Sequence, residues 1–445
     1  MTPRELANSI CETLQRNGQQ ALLVGGCVRD LLLGREPADY DVATDAKPQR
    51  VMELFPESVP VGAQFGVILI PRNGMKVEVA TFRSDVGYSD GRHPDTVEFS
   101  STPEEDVLRR DFTINGLLMR PDTEEILDFV DGRADLKAGV IRAIGEAERR
   151  FAEDKLRMMR AVRFTARFGF VLEQKTAEAA YKLAPQIRQV SAERVREELT
   201  KILTEGAARR GFEFLDATGL LPEVLPEIAA MQGVEQPPQY HPEGDVWIHT
   251  LLMLEGLPKD CSATLAWGVL LHDVGKPPTF RSAAETGDRI RFDNHVAVGV
   301  KMAEAICRRM RFSNEETEQI LALVDNHMKF KDVGQMRAST LKRFVRMPHF
   351  AEHMALHRLD CLSSHRHLDA YEFVGKVLAE TPPEQIRPQR LLTGNDLLEM
   401  GYQAGPEFSR ALTALEDAQL EGTVNSRSEA REFIQEHFQK KAQNA

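Results

Sequence analysis

Residues 21–45 read ALLVGGCVRDLLLGREPADYDVATD, and this stretch decides what the N-terminal part of the chain is. Four apolar residues before Gly25-Gly26 predict a buried strand and a tight turn, and the apolar spacing after the turn predicts a helix beginning near Cys27. Paired glycines let a backbone approach a phosphate closely, and the amides exposed at a helix start point toward it. Arg29, one turn into that helix, adds a charged fork. Ten residues later, Asp39-Tyr40-Asp41 precedes apolar Val42 and suits a second strand. Residues i and i+2 on a strand share a face, so both carboxylates are expected to grip Mg²⁺. A third acid, Glu78, stands between Val77 and Val79, which face the other way, and is expected to join them from a neighbouring strand. Each signal alone has an ordinary reading as a structural turn or a solvated strand face. Their succession argues for a nucleotide held beside metal ions.

The β-rich pattern continues through FGVILI, MKVEVATF, DTVEFS, EILDFVDG and GVIRAIG to about residue 140. Beyond it strand signals nearly vanish, and segments such as KLRMMRAVRFTARF and AERVREELTKIL are apolar at helical spacing. A Pro- and Gly-rich stretch, LLPEVLPEIAAMQGVEQPPQYHPEGD, precedes a second helical region from Trp247 to Leu378, and a third helical piece follows TPPEQIRP. The expected fold class is α+β: a mixed sheet with helices over 1–140, then all-α regions over 141–225, 226–380 and 381–445. With 445 residues, 42% of them hydrophobic, the chain is long enough for several cores and excludes wholesale disorder. Its net charge of −12 argues against a general nucleic-acid coat, yet residues 142–210 hold 16 Lys+Arg against 10 Asp+Glu, a local basic surface. No apolar run reaches the roughly 18 to 20 residues of a membrane span, and the N-terminus reads as an amphipathic helix, so no membrane and a cytoplasmic location are expected. The five cysteines form no CxxC pair and predict reduced, mostly buried thiols.

The next run, RRDFTINGLLM at 109–119, carries Arg109 and Arg110, suited to phosphate oxygens, and Asp111, suited to a ribose hydroxyl. GGCVRDLLLG, ADYDVATD and RRDFTINGLLM, in this order and spacing, resemble the class II tRNA nucleotidyltransferases and their relatives, the bacterial poly(A) polymerases. EDKLR and the following MMRAVRFTARFGF are similar to the family's base-reading motif. On a helix, Asp154, Arg157, Arg160 and Arg163 recur every three residues and form a slowly rotating stripe. Asp154 can accept from an exocyclic amine while Arg157 donates to the adjacent ring nitrogen, a pattern that cytosine and adenine both offer. Uracil and guanine present a carbonyl instead, and a polar site left unpaired rejects strongly, so CTP and ATP are expected without a template. The resemblance further assigns LDFVDGRADLKAG, with Asp128 and Asp131, to a linker, and AERVREEL to a helical element near the neck. It makes residues 83–98 a flexible loop, complete enough to favour addition of the terminal A. It implies in-line attack of a tRNA 3′-hydroxyl on the α-phosphate of CTP or ATP, with Asp39 and Asp41 holding two Mg²⁺ and Arg29 and the Gly25-Gly26 turn holding the triphosphate.

In the second helical region His272-Asp273 ends the run TLAWGVLL, flanked by His249, His295, His327 and Asp360. This order resembles the HD phosphohydrolase superfamily. The resemblance implies His249, His272, Asp273 and Asp360 as a minimal metal set, His295 and His327 as the extra positions of two-metal members, and Lys276 as a phosphate contact. Mixed imidazole and carboxylate ligation suits Mg²⁺ or a divalent transition metal. The expected chemistry is hydrolysis of a phosphoester such as a 2′,3′-cyclic phosphate at an RNA end, unless the region is a degenerate structural fold. His353, His357, His365 and His367 are expected to be surface or core residues. Gly405-Pro406 at a helix start reads as part of a helical hairpin. The leading expectation is a CCA-adding tRNA nucleotidyltransferase with an HD domain. The alternatives are a poly(A) polymerase, an A-adding enzyme, or an HD phosphohydrolase with a non-catalytic RNA-binding head.

Overall fold

The computed structural model describes residues 1–86 and 96–438. They form two compact units, one from the described residues up to 230 with 257–261 and 309–311, the other from residues 231–256 with 262–308 and 312–438.

In the first unit the strands are β1 (Ala21–Val24), β2 (Asp41–Thr44), β3 (Val59–Gly62), β4 (Val67–Arg72), β5 (Met75–Thr81), β6 (Arg83–Val86), β7 (Thr96–Phe99), β8 (Leu117–Met119) and β9 (Ile126–Asp128). Seven of them make one mixed sheet in the order β3-β4-β5-β2-β1-β8-β9, with β2 and β5 parallel and the other neighbours antiparallel. β1 is buried along its whole length, as four consecutive apolar residues require. β5 alternates instead, with Val77 and Val79 buried and Glu78 exposed. The helix Pro3–Arg16 is fixed by a Thr2–Glu5 capping box and buries Leu6, Ala7, Ile10, Cys11 and Leu14. Inside lies a core of Leu22, Val24, Ala43, Phe82, Val107, Leu118 and Ile144.

Three expectations are corrected here. LDFVDGRADLKAG is not a linker: its first residues form the edge strand β9, and Asp128 accepts from the backbone amides of Val130, Gly132 and Arg133 to start the helix Gly132–Ala138. The segment 83–98 is not loop throughout, because its arms pair as the antiparallel ribbon β6–β7; residues 87–95 lie outside the described residues. Beyond residue 140 strands do persist, as the short pairs Val140–Ile141 with Val171–Leu172 and Phe280–Arg281 with Arg291–Phe292.

After the sheet come the helices Ala147–Glu153, Leu156–Phe168, Gln174–Leu183, Ala192–Thr204 and Ala208–Ala217. In the second unit, helices Val246–Glu255, Ala263–Leu271, Asn314–Asn326 and Phe350–Ser363 surround the histidines. Gly275 makes their convergence possible. A Cβ there would stand 2.1 Å from the carbonyl oxygen of His295, so only glycine lets the turn after Asp273 touch the start of helix His295–Arg309. Helices Pro406–Glu421 and Arg427–His437 close a separate apolar cluster around Leu397, Leu415 and Ile434. Cys11, Cys27, Cys307 and Cys361 are buried, Cys261 is half-buried, and none of the five is in a disulfide. No helix among the described residues is long and apolar enough to cross a membrane.

Candidate functional site

At the end of β1 the chain turns at Gly25, whose φ of +74° excludes most side chains. A Cβ there would also lie 3.2 Å from Nη1 of Arg110. That guanidinium is held from its other side: Asp106, fully buried, accepts two bonds from Arg109 at 2.9 and 2.6 Å and two from Arg110 at 3.2 and 2.8 Å. The turn and the Nη1 edge of Arg110 border the same space, the Gly25 amide itself being taken by the Leu117 carbonyl at 3.0 Å. Arg29 does not. It is buried, donates to Asp30 at 2.8 Å and Asn115 at 2.6 Å, and stacks over Phe168 at 4.7 Å, so it supports the turn from behind.

Register places Asp41 of β2 directly opposite Glu78 of β5. Burial pushes the Asp41 carboxyl up to about 6, Glu78 and then Asp39 adding to the shift and Arg110 opposing it. Carboxylates arranged this way repel one another until a cation joins them, which is the electrostatic signature of a divalent-metal site. Asp39 corrects the sequence reading. β2 begins only at Asp41, so Asp39 stands in the irregular segment before the strand rather than on its face.

The expected stripe on one helix also breaks up. Asp154 lies in the extended break between helices Ala147–Glu153 and Leu156–Phe168, not on a helix. Its Oδ1 accepts from the Leu156 amide at 3.1 Å, and Arg194 forks onto both oxygens at 3.2 and 2.8 Å. Arg157 donates to Glu153 at 3.0 Å and to the carbonyls of Arg150 and Arg109. Arg160 donates twice to Asp111, at 2.9 and 2.6 Å. Asp111 also accepts from the Phe112 amide and the Asn115 amide group, so four bonds fill a carboxylate expected to meet a ribose. Burial alone would raise its pKa; Arg160 chiefly, with Asn115 and Arg157, holds it well below the usual range instead. Arg163 is turned inward, 2.7 Å from buried Glu198, and joins two helices rather than facing open space. Arg194, Asp106 and Asn115 escaped sequence reasoning. Asn115 and Arg194 lie inside motifs already singled out, but nothing in their spacing says which atoms they touch.

In the second unit His249 lies on Val246–Glu255, His272 and His327 cap the ends of their helices, His295 begins one, and Asp360 lies on Phe350–Ser363. They converge as two triads, His249–His272–Asp360 and Asp273–His295–His327, the ligand atoms of each within 4.8 Å of one another. The Nδ1 atoms of His272, His295 and His327 lie 2.8, 2.9 and 2.6 Å from the carbonyl oxygens of Val269, Phe292 and Val324. A carbonyl only accepts, so each Nδ1 carries the proton and each Nε2 keeps a lone pair. These three Nε2 atoms, with that of His249, are buried and make no hydrogen bond. His249 Nε2 lies 3.2 Å from Asp360 and His272 Nε2 3.0 Å from Asp273, but in directions that do not make hydrogen bonds. Unsatisfied nitrogens aimed at shared points between carboxylates fit divalent cations. Burial lowers the pKa of His327 to about 4, which keeps it a neutral ligand. Two of the three donors of Lys276 are engaged: its ammonium sits 2.7 Å from Asp273 and 2.6 Å from Gln236. His353 and His357 are core residues, and His365 and His367 are exposed.

Comparison with known proteins matches residues 21–142 to the Poly A polymerase head domain, 169–232 to the probable RNA and SrmB-binding site of polymerase A, and 245–362 to the HD domain. The CCA-adding enzyme of Lactobacillus delbrueckii subsp. bulgaricus is 46% identical over 217 residues, so the chain spans about half (54%) of that relative and 49% of itself is matched. The CCA-adding enzyme of Bacillus cereus is 31% identical over 432 residues, 97% of this chain and 98% of that one. Among solved structures, the Bacillus stearothermophilus CCA-adding enzyme in complex with CTP superposes with a TM-score of 0.75 at 27% identity, covering 98% of each chain. The Thermotoga maritima CCA-adding enzyme complexed with a tRNA shares the fold, with a TM-score of 0.57 at 19% identity over 97% of this chain and 94% of that one.

Proposed function

Because this chain belongs to the CCA-adding enzyme family, we propose that it adds nucleotides from CTP and ATP to tRNA 3′ ends without a template, and that its second unit hydrolyses a phosphoester. One observation carries the first part. Asp41 faces Glu78 across paired strands, with Asp39 close enough to raise its pKa and the Gly25 turn and Arg110 alongside.

Asp39 and Asp41 hold Mg²⁺, with Glu78 completing the acidic patch. A divalent pair there neutralises charge on the attacking and leaving oxygens of an in-line displacement. The Gly25-Gly26 turn, where no side chain blocks close approach, and the Nη1 edge of Arg110 bind the triphosphate, and Arg29 holds the turn in shape through Asn115. Asp154 accepts from the exocyclic amine of cytosine or adenine with the lone pair that Arg194 and Leu156 leave open. Arg157 donates to the ring nitrogen beside it. Asp111 anchors Arg160 and so fixes this helix against the head.

In the second unit His249, His272 and Asp360 hold one divalent ion, Mg²⁺ or a transition metal, and Asp273, His295 and His327 a second. The ions supply Lewis-acid activation for hydrolysis of a phosphoester such as a 2′,3′-cyclic phosphate at an RNA end. Lys276 steers Asp273.

The test supplies each ribonucleotide separately to a tRNA lacking its CCA and to one ending in CC. Incorporation from CTP on the first and from ATP alone on the second is expected. Long A tails on unrelated RNA would point to a poly(A) polymerase, and no incorporation at all to a non-catalytic head. Asp39→Ala with Asp41→Ala should abolish addition and leave phosphoester hydrolysis intact.

A further inference from the structure

Of the four histidines aimed into the second unit's site, three fix their Nδ1 proton on the backbone carbonyl three residues earlier. His249 does not. The equivalent carbonyl, of Val246, takes the Thr250 hydroxyl at 2.9 Å, and the Nδ1 of His249 lies 2.7 Å from Oε1 of Glu243. His241 approaches the same oxygen with its own Nδ1 at 2.9 Å. Glu243 is nearly buried, its side chain 6% exposed, and its Oε2 is buried with no hydrogen bond. The loop that carries it is pinned. Gln236 N donates to Gly244 O at 2.7 Å, Val246 N to Val234 O at 3.0 Å, and Asp245 accepts from Gly233 N at 2.5 Å and Ile248 N at 3.0 Å.

We propose that Glu243 is the positioning residue for His249, holding its Nδ1 proton so that Nε2 faces the metal beside His272 and Asp360, with His241 keeping Oε1 aimed. This deepens the phosphohydrolase reading and rests on it. An imidazole free to rotate, or protonated on Nε2, is a poor ligand, and a carboxylate acceptor fixes both orientation and tautomer. The other three histidines draw that support from their own helical turns or from the preceding loop, which no side-chain substitution removes. Glu243 is therefore the one such support that mutation can test directly.

The experiment measures Mn²⁺ and Co²⁺ affinity of the full-length metal-free protein by calorimetry, and the visible spectrum of the Co²⁺ form, for wild type, Glu243→Gln and Glu243→Leu. Asp39→Ala with Asp41→Ala in every protein removes binding at the head. Partner groups of this kind change metal affinity by roughly 10- to 100-fold. We expect Leu, which cannot accept a bond, to weaken binding by that factor and shift the Co²⁺ spectrum, and Gln, which still accepts through Oε1, to recover most of the affinity. Melting of the metal-free proteins separates folding from ligation, since a purely structural role lowers the melting temperature and leaves the Co²⁺ spectrum of the folded fraction unchanged. Equal affinity and spectra across the three proteins overturn the proposal alone. Absence of binding in the wild type overturns the metal-site reading and the proposal with it.

Discussion

Replacing Arg194 by alanine tests how the base is read. Arg194 contributes two charge-assisted bonds to Asp154, at 3.2 and 2.8 Å, and Leu156 N is the only other donor recorded for that carboxylate among the described residues. The side chains are 21% and 17% exposed, enough for water to replace part of what is lost. Hydrogen bonds to charged groups contribute about 1.5–3 kcal/mol, and partial exposure holds the pair to that range rather than twice it. At 1.4 kcal/mol per factor of ten, kcat/KM for CTP should fall by roughly 10- to 150-fold. Because Asp154 is then held only by the Leu156 amide, the preference for CTP over UTP should shrink as well. Arg194→Lys keeps the charge but not the fork and should fall between the two. The assay is single-nucleotide incorporation into tRNA lacking CCA, with the four nucleotides in separate reactions. A variant with an unchanged CTP-to-UTP ratio, or an equal loss for all four nucleotides, refutes the reasoning.

Asp106→Asn should cost up to about 3–5 kcal/mol, because it removes the buried negative charge and one of the two acceptor oxygens that Arg109 and Arg110 share; urea unfolding measures it. In the wild type burial would raise the Asp106 pKa, but the two arginines outweigh it and bring the pKa below its ordinary value. That stability is therefore present above the unfolded carboxyl's value of about 3.9 and is lost as pH falls through the lower folded value, a dependence absent in the Asn variant. Gly25→Ala should destabilise the head by about 1–3 kcal/mol through its strained backbone and weaken CTP binding, read by melting and calorimetry. With the Asp41 carboxyl near 6, its proton competes with the cation below that pH, so Mn²⁺ affinity at the head should drop by up to about tenfold per pH unit below about 6 and level off above it. Titrations between pH 5 and 8, with the second site disabled by His272→Ala, check this; affinity flat across pH 6 contradicts it.

The mixed sheet, the helical remainder and most of the chemical groups are legible in the order of residues alone. Strand periodicity told Glu78 from Val77 and Val79, a local signal, whereas the four histidines and two aspartates of the second unit stood out only through the resemblance of their order to the HD superfamily. What the tertiary structure decided is which atoms are committed and which are free. Arg29, Asp111, Arg163 and Lys276 look like ligand contacts in one dimension, yet each is already bonded to an acceptor or donor brought from elsewhere in the fold, and Asp111 is filled by four such bonds. Asp154 and Arg194 are 40 positions apart, and Glu243 sits in a loop whose Pro and Gly signalled only a break. A hydrogen bond is set by a distance of a few tenths of an ångström and by direction, and these follow from how helices and turns pack. Periodicity records only which face of each element is apolar.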